Sequence, residues 1–232
     1  MKSKPFYTPK AALALFAASA ALLFSACGAR NELERIKHRG VLKAGVTTAT
    51  EGMGFFNPAT QTYEGLEVEI AKLLAQDLLG GADKIKFEKI TPATRGAMLE
   101  NGSVDMVIAA FTINDERKLL YNFSAVYYTD SVRLLAKKER GFTSLRDLAD
   151  KTIGVIHSAT TRNVVSIAAM DAGITVSFSE FSRFFQIEGA LNSESVDAFA
   201  MDKSVLKSYV NENTAMLADE LAPQHYGVAT KL

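Results

Sequence analysis

Three kinds of polar side chain stand where strand-like runs stop. Arg117 lies in "FTINDERK", directly after the apolar run "VDMVIAA", and Asp202 closes the run "VDAFAM". Hydroxyls accompany them: Thr112 beside Arg117, and Ser158, Thr160 and Thr161 in "HSATTRN", after the run "TIGVI". A guanidinium can hold a carboxylate through two parallel hydrogen bonds, and a carboxylate can take an ammonium. Brought together, these groups match the two charged ends of an α-amino acid, each charge-assisted bond contributing ~1.5–3 kcal/mol. A phosphate ligand would have no use for Asp202. Each residue also has a plainer use: Thr112 and Asn114 as helix caps, Arg117 as a solvated residue between Glu116 and Lys118, Asp202 as an N-cap. Joint placement at strand ends is what a capping account does not require of all of them.

The elements that would hold these groups alternate from Leu42 onward, which predicts an α/β fold with mainly parallel strands. "VLKAGV" reads as a strand. "EGLEVEIAKLLAQDLLG" has apolar residues at helical spacing and stops at Gly80–Gly81. "KIKFEKI" is a strand by alternation, "RGAMLENG" a short helix, and "VDMVIAAF" a strand with the continuous apolar content of a sheet covered on both faces. A second set repeats this order: strand "TIGVIH", helix "TRNVVSIAAMDAG", strand "ITVSFSEF", helix "QIEGALNSES", strand "VDAFAM". Two lobes of similar topology are therefore expected, joined by "VYYTDSVRLLAKK" going out and "YGVATK" coming back. In open parallel sheets ligands bind beyond the carboxyl ends of the strands, which puts Arg117 and Asp202 at one cleft.

The ends and the overall charge narrow the classes. Lys2, Lys4 and Lys10 precede "AALALFAASAALLF", too short for the ~20 residues of a membrane span and suited to a signal-peptide core. "SAC" follows, and Cys27 is the only cysteine of the 232 residues. Cys27 sits where a bacterial lipoprotein signal places the lipidated residue, with Phe24 where Leu is commonest; the alternative is an ordinary secretory signal cut near Gly28. Either way the mature chain is expected outside the cytoplasm, without disulfides, attached to a membrane at most through lipid. With 26 basic and 26 acidic residues the sequence makes no electrostatic case for nucleic acid. No G-x-S-x-G occurs, His38, His157 and His225 are scattered, and no metal-ligand spacing is present, so neither catalysis nor a metal nor a cofactor is expected.

The segments "RGVLKAGV", "YEGLEVEIAKLLA", "NGSVDMVIAAFTINDERK", "YNFSAVYYTD", "FTSLRDLADKTIGV" and "VDAFAMDKSVL" together resemble the solute-binding proteins of polar amino-acid ABC importers, bacterial extracellular solute-binding protein family 3. "RGAMLENGSVD", "HSATTRNVV" and "ITVSFSEF" are most similar to its aspartate/glutamate-binding, adhesin-type members. The resemblance implies the type II periplasmic-binding-protein fold: a signal over residues 1–27, lobe 1 over 33–132, lobe 2 over 133–225 and a return strand over 226–232, after which family members continue with further helices. It implies that Arg117 binds the ligand α-carboxylate with Thr112 and Thr160, that Asp202 and the Ala110 carbonyl take the α-ammonium, and that Arg95 reads a side-chain carboxylate. The partners it implies are a polar amino acid, aspartate or glutamate with glutamine open, and a membrane permease, with the binder itself a monomer. Thr47 replaces the Lys usual in acidic binders, and Phe184 a Tyr, which leaves the ligand side chain open. Adhesion or sensing, or a dehydratase acting on cyclohexadienyl acids, are the other uses of such a fold.

Overall fold

In a computed structural model of the chain, residues 32–232 are described; Cys27 and the rest of the predicted signal segment lie outside the described residues. The chain divides after Arg39. Before that point stands α1 (Glu32–Arg39), with Glu32 and Glu34 in its first turn and Lys37, His38 and Arg39 in its last. Those charges complement the helix dipole at each end.

After Arg39 the chain builds two mixed sheets. The first begins with β1 (Leu42–Val46), followed by a small meander of β2 (Ala49–Thr50), β3 (Gly54–Asn57) and β4 (Thr62–Glu64). Helix α2 (Leu66–Leu79) starts after Gly65, whose φ of 112° and whose approach to Met53 leave no room for a side chain: a Cβ there would lie 2.2 Å from the Met53 carbonyl oxygen. The helix ends as its sequence requires, on Gly80 in the left-handed conformation. Next come β5 (Ile85–Lys89), α3 (Arg95–Glu100), β6 (Met106–Val107), α4 (Asp115–Lys118) and β7 (Tyr121–Phe123).

Strand β8 (Tyr128–Lys137) carries the chain into the second sheet, which holds β9 (Thr152–Ile156), α5 (Thr161–Ala172), β10 (Ser177–Phe181), α6 (Gln186–Asn192), β11 (Ala198–Asp202) and α7 (Lys203–Leu206). Strand β12 (Thr214–Met216) adds an edge, β13 (Pro223–Tyr226) pairs with β8, and β14 (Ala229–Lys231) returns to the first sheet. The strand orders are β5-β1-β6-β14-β7 and β10-β9-β11-β8-β12. Each sheet has a parallel core, β5-β1-β6 and β10-β9-β11, and the crossing segments add antiparallel strands. The lobes thus share two connections, and β8 runs unbroken across the position where the sequence suggested a boundary.

Both cores follow from alternation along the strands. In the second lobe Val132, Leu134, Ala136, Ala198 and Ala200 face one side, while Leu135, Phe199 and Met201 face the other. Gly154 makes space for Phe199, since a Cβ there would lie 2.5 Å from its ring. In the first lobe Ile90, Leu99, Val107, Ala109 and Phe111 close around Tyr121 and Ala229.

One local prediction differs. "VDMVIAAF" reads as a long strand, yet only Met106–Val107 is strand. The run stays buried, but Ala110 adopts φ 45°, in the left-handed region that disfavours a side chain. The carboxylate of Glu67 accepts a hydrogen bond from the Ala110 N–H at 2.6 Å, and Arg95 donates to the carbonyls of Ala109 (3.0 Å) and Ala110 (3.4 Å). Side chains, rather than a neighbouring strand, satisfy this backbone and bend it.

Candidate ligand-binding cleft

Arg95, Ala110, Thr112, Arg117, Thr160 and Asp202 all line one cavity between the lobes, with Phe184 and Met201 beside them. Four of the six come from the first lobe and two from the second. The cavity measures about 10 Å³, room for about one water molecule. Entry of anything larger therefore requires the lobes to part.

Arg117 stands at the seam. It lies in α4, whose N-cap is Asn114, with the Asn114 side chain accepting from the Arg117 N–H at 2.8 Å. Its Nη1 donates to the Thr112 carbonyl at 2.7 Å, and its Nη2 crosses to the Ser158 carbonyl of the other lobe at 3.2 Å. A guanidinium has five N–H donors, so three remain for a ligand. Arg95 is nearly fully buried, and the Phe111 ring carries both cations, with the guanidinium of Arg95 3.9 Å and that of Arg117 4.6 Å from its centroid. Burial first, then the proximity of Arg117, lowers Arg95 to about 9; burial lowers Arg117 to about 10. Both remain cations at neutral pH.

Asp202 occupies the N-cap position of α7 but makes no capping hydrogen bond. Asp130 caps instead, its Oδ2 accepting from the Ser204 N–H at 3.0 Å. Among the described residues the Asp202 side chain keeps one hydrogen-bond partner, the Tyr226 hydroxyl, which donates to its Oδ2 at 2.6 Å. Its Oδ1 is buried and has no hydrogen-bond partner among the described residues. Burial raises this carboxyl to about 7, with Asp130 adding to the effect against the pull of Tyr226, Arg95 and Arg117. A buried acid with an unmatched oxygen is costly unless a cation meets it.

The two threonines do not cap either. Both hydroxyls donate to the Oε1 of Gln224, Thr112 at 2.9 Å from one lobe and Thr160 at 2.7 Å from the other. The amide orientation is fixed because Nε2 of Gln224 donates to the carbonyls of Ala222 and Pro223, each at 3.2 Å. With their protons directed at Gln224, the hydroxyls present lone pairs to the cavity, which suit an ammonium better than a carboxylate. Donors for a carboxylate are then the free guanidinium N–H groups of Arg117 and the N–H of Thr160 at the start of α5, which has no acceptor within the helix.

Sequence reasoning missed Glu67, Tyr127, Asp130, Gln224 and Tyr226. Glu67 is fully buried, accepts from the Tyr127 hydroxyl at 2.6 Å as well as from Ala110, and is pushed up by its burial. Of the three acids in "YEGLEVEIAKLLA", Glu67 alone sits on the helix face that otherwise buries Val68, Ala71 and Ala75, a break in pattern that marks it as paired. Gln224 and Tyr226 lie on β13, too short and too polar to announce itself. His157 bonds exposed Glu180 at 2.9 Å and stays out of the cavity. Among the described residues no group of His, Cys, Asp or Glu could hold a metal ion, and no helix is long and apolar enough to cross a membrane.

Known proteins share this architecture. The chain is 32% identical over 235 residues to the ABC transporter glutamine-binding protein GlnH of Bacillus subtilis (strain 168), covering 94% of this chain and 84% of that protein. It is 33% identical over 202 residues to the glutamine-binding protein of Geobacillus stearothermophilus, covering 86% and 76%. A crystal structure of the solute receptors for L-cysteine of Neisseria gonorrhoeae superposes with a TM-score of 0.75 at 26% identity, over 86% of this chain and 80% of that one. The model of the bacterial extracellular solute-binding proteins, family 3, matches residues 42–221, and the chain belongs to that family.

Proposed function

We propose that the chain captures an acidic amino acid, glutamate or aspartate, outside the cytoplasm and presents it to the permease of an ABC importer. The family supports an extracytoplasmic solute binder, and its relatives are named for glutamine, glutamate and other polar amino acids. The carrying observation is the charge set of the cavity: two guanidiniums, Arg95 and Arg117, against Asp202. Glutamate and aspartate have the complementary set, two carboxylates and one ammonium. In this reading Arg117 and the Thr160 N–H take the α-carboxylate. Asp202, the Ala110 carbonyl and the Thr112 hydroxyl take the ammonium, and Arg95 takes the side-chain carboxylate. Asp202 then gains the cation that its unmatched Oδ1 lacks.

Glutamine is the second reading, favoured by the names of the two glutamine-binding relatives described above and by Arg95 already donating to two carbonyls. Closure is driven only by contacts a ligand gains in the closed form and lacks in the open one. Attachment through a lipid on Cys27 and action as a monomer complete the proposal. The test is a thermal-shift and turnover panel with aspartate, glutamate, glutamine and cyclohexadienyl acids. A shift with glutamate or aspartate larger than with glutamine, without turnover, is the expected result. A larger shift with glutamine moves the assignment to the amide, and turnover of any of them removes the binder reading.

A further inference from the structure

Beside the inner cavity lies a second one of about 420 Å³, within the ~300–1,000 Å³ of small-molecule sites. Pro92 and Phe184 line both cavities, and they come from different lobes: Pro92 follows β5 and Phe184 follows β10. The two shared residues come one from each side, so a parting of the lobes that admits a ligand would bring the two spaces together. The chemistry of the outer chamber is its own. Besides Pro92 and Phe184, four threonines (Thr47, Thr48, Thr91 and Thr94) and four apolar residues line it, with Lys89 and Arg183, and no acid is among its lining residues. The Thr47 hydroxyl donates to the Gly54 carbonyl at 3.2 Å, and the Arg183 guanidinium lies 5.9 Å from the centre of the Phe185 ring. Such a lining suits an uncharged tail of mixed polar and apolar character that ends in an anion.

We propose that the cleft also takes an amino acid whose side chain is extended through an amide to a second carboxylate, a γ-glutamyl dipeptide of the γ-glutamylglycine type. This rests on the assignment of the inner cavity to an amino-acid head. The free α-amino and α-carboxyl groups occupy that cavity, the side-chain amide passes between Pro92 and Phe184, and the distal carboxylate meets Lys89 and Arg183. An α-linked dipeptide is excluded because its peptide bond consumes one of the two groups the inner cavity needs free.

The experiment is calorimetric titration of the purified chain with glutamate, glutamine, γ-glutamylglycine, the C-terminal amide of γ-glutamylglycine, and α-glutamylglycine. γ-Glutamylglycine is expected to bind, and about three- to tenfold more tightly than its amide, the worth of two exposed ion pairs; α-glutamylglycine is expected not to bind. The double variant Lys89→Gln, Arg183→Gln erases the preference for the acid and leaves glutamate and glutamine affinity unchanged. Binding of glutamate or glutamine without γ-glutamylglycine overturns this inference and leaves the proposed function standing. Silence from all the compounds overturns both. Equal affinity for acid and amide, or a preference that survives the double variant, overturns the role given to the outer chamber.

Discussion

Replacing Asp202 by Asn should stabilise the protein while disabling it. The folded state holds this carboxyl at about 7 against an ordinary 3.8, chiefly through burial. At ~1.4 kcal/mol for each tenfold change in proton affinity, the cost of ionising it in the fold has a ceiling of ~4 kcal/mol above pH 7. Asparagine keeps an acceptor for the Tyr226 hydroxyl but leaves its amide where Oδ1 has no partner, so about half of that is recoverable, ~2 kcal/mol. For a chain of this size that is a rise of about 4–8 °C in Tm. The sign with pH is fixed: because the folded value lies above the unfolded one, the fold takes up a proton between pH ~4 and 7, and ionisation costs stability as pH rises through that window. The advantage of Asp202→Asn is therefore largest at pH 8, shrinks below pH 7 and is gone near pH 4. Scanning calorimetry of both proteins at pH 4, 5.5, 7 and 8, without amino acid, measures it. At pH 8 the variant should also bind the preferred amino acid at least about tenfold more weakly, the worth of one charge-assisted bond. An equal or lower Tm at pH 8, or a gain that does not vary with pH, would refute the claim that an ionised Asp202 is held at a cost for the sake of a ligand.

Three further outcomes are expected. Arg117→Ala should weaken amino-acid binding by about 10- to 150-fold with an unchanged circular dichroism spectrum, since α4 keeps its Asn114 cap; retained affinity would place the α-carboxylate elsewhere. Arg95→Gln should cost aspartate and glutamate about tenfold more than glutamine in the same titration, and equal losses would show that Arg95 shapes the Ala109–Ala110 backbone without reading the ligand side chain. Gln224→Ala removes the acceptor that both threonine hydroxyls share, so small-angle scattering should show a larger mean radius without ligand and titration a loss of about tenfold; an unchanged radius and affinity would mean the amide neither links the lobes nor orients the hydroxyls.

The strand that ends in Asp202 was legible because periodicity and turn chemistry carry it, whereas β6 stops at Val107, well before Thr112. The parallel cores, the two crossings and the convergence of Arg117 with Asp202 come from patterns within single segments plus one rule about where sheets bind ligands. What stayed hidden depends on partners far apart in the chain. The bend at Ala110 is imposed by Glu67, 43 residues away, so the run "VDMVIAAF" cannot disclose it. Thr112 and Thr160 looked like caps because local propensity permits it; Gln224, 112 residues from the first and 64 from the second, takes their protons instead. Asp202 looked like an N-cap until Asp130, on the neighbouring strand β8, was seen to cap in its place.

Strand β14 has a consequence for how the molecule is made. It pairs with β6 on one edge and β7 on the other, so the first lobe cannot be finished until every residue of the second has left the ribosome. Contacts of such long separation form slowly. For the extracytoplasmic role proposed above, that delay leaves the first lobe incomplete, and so loosely folded, while the second half is still being synthesised.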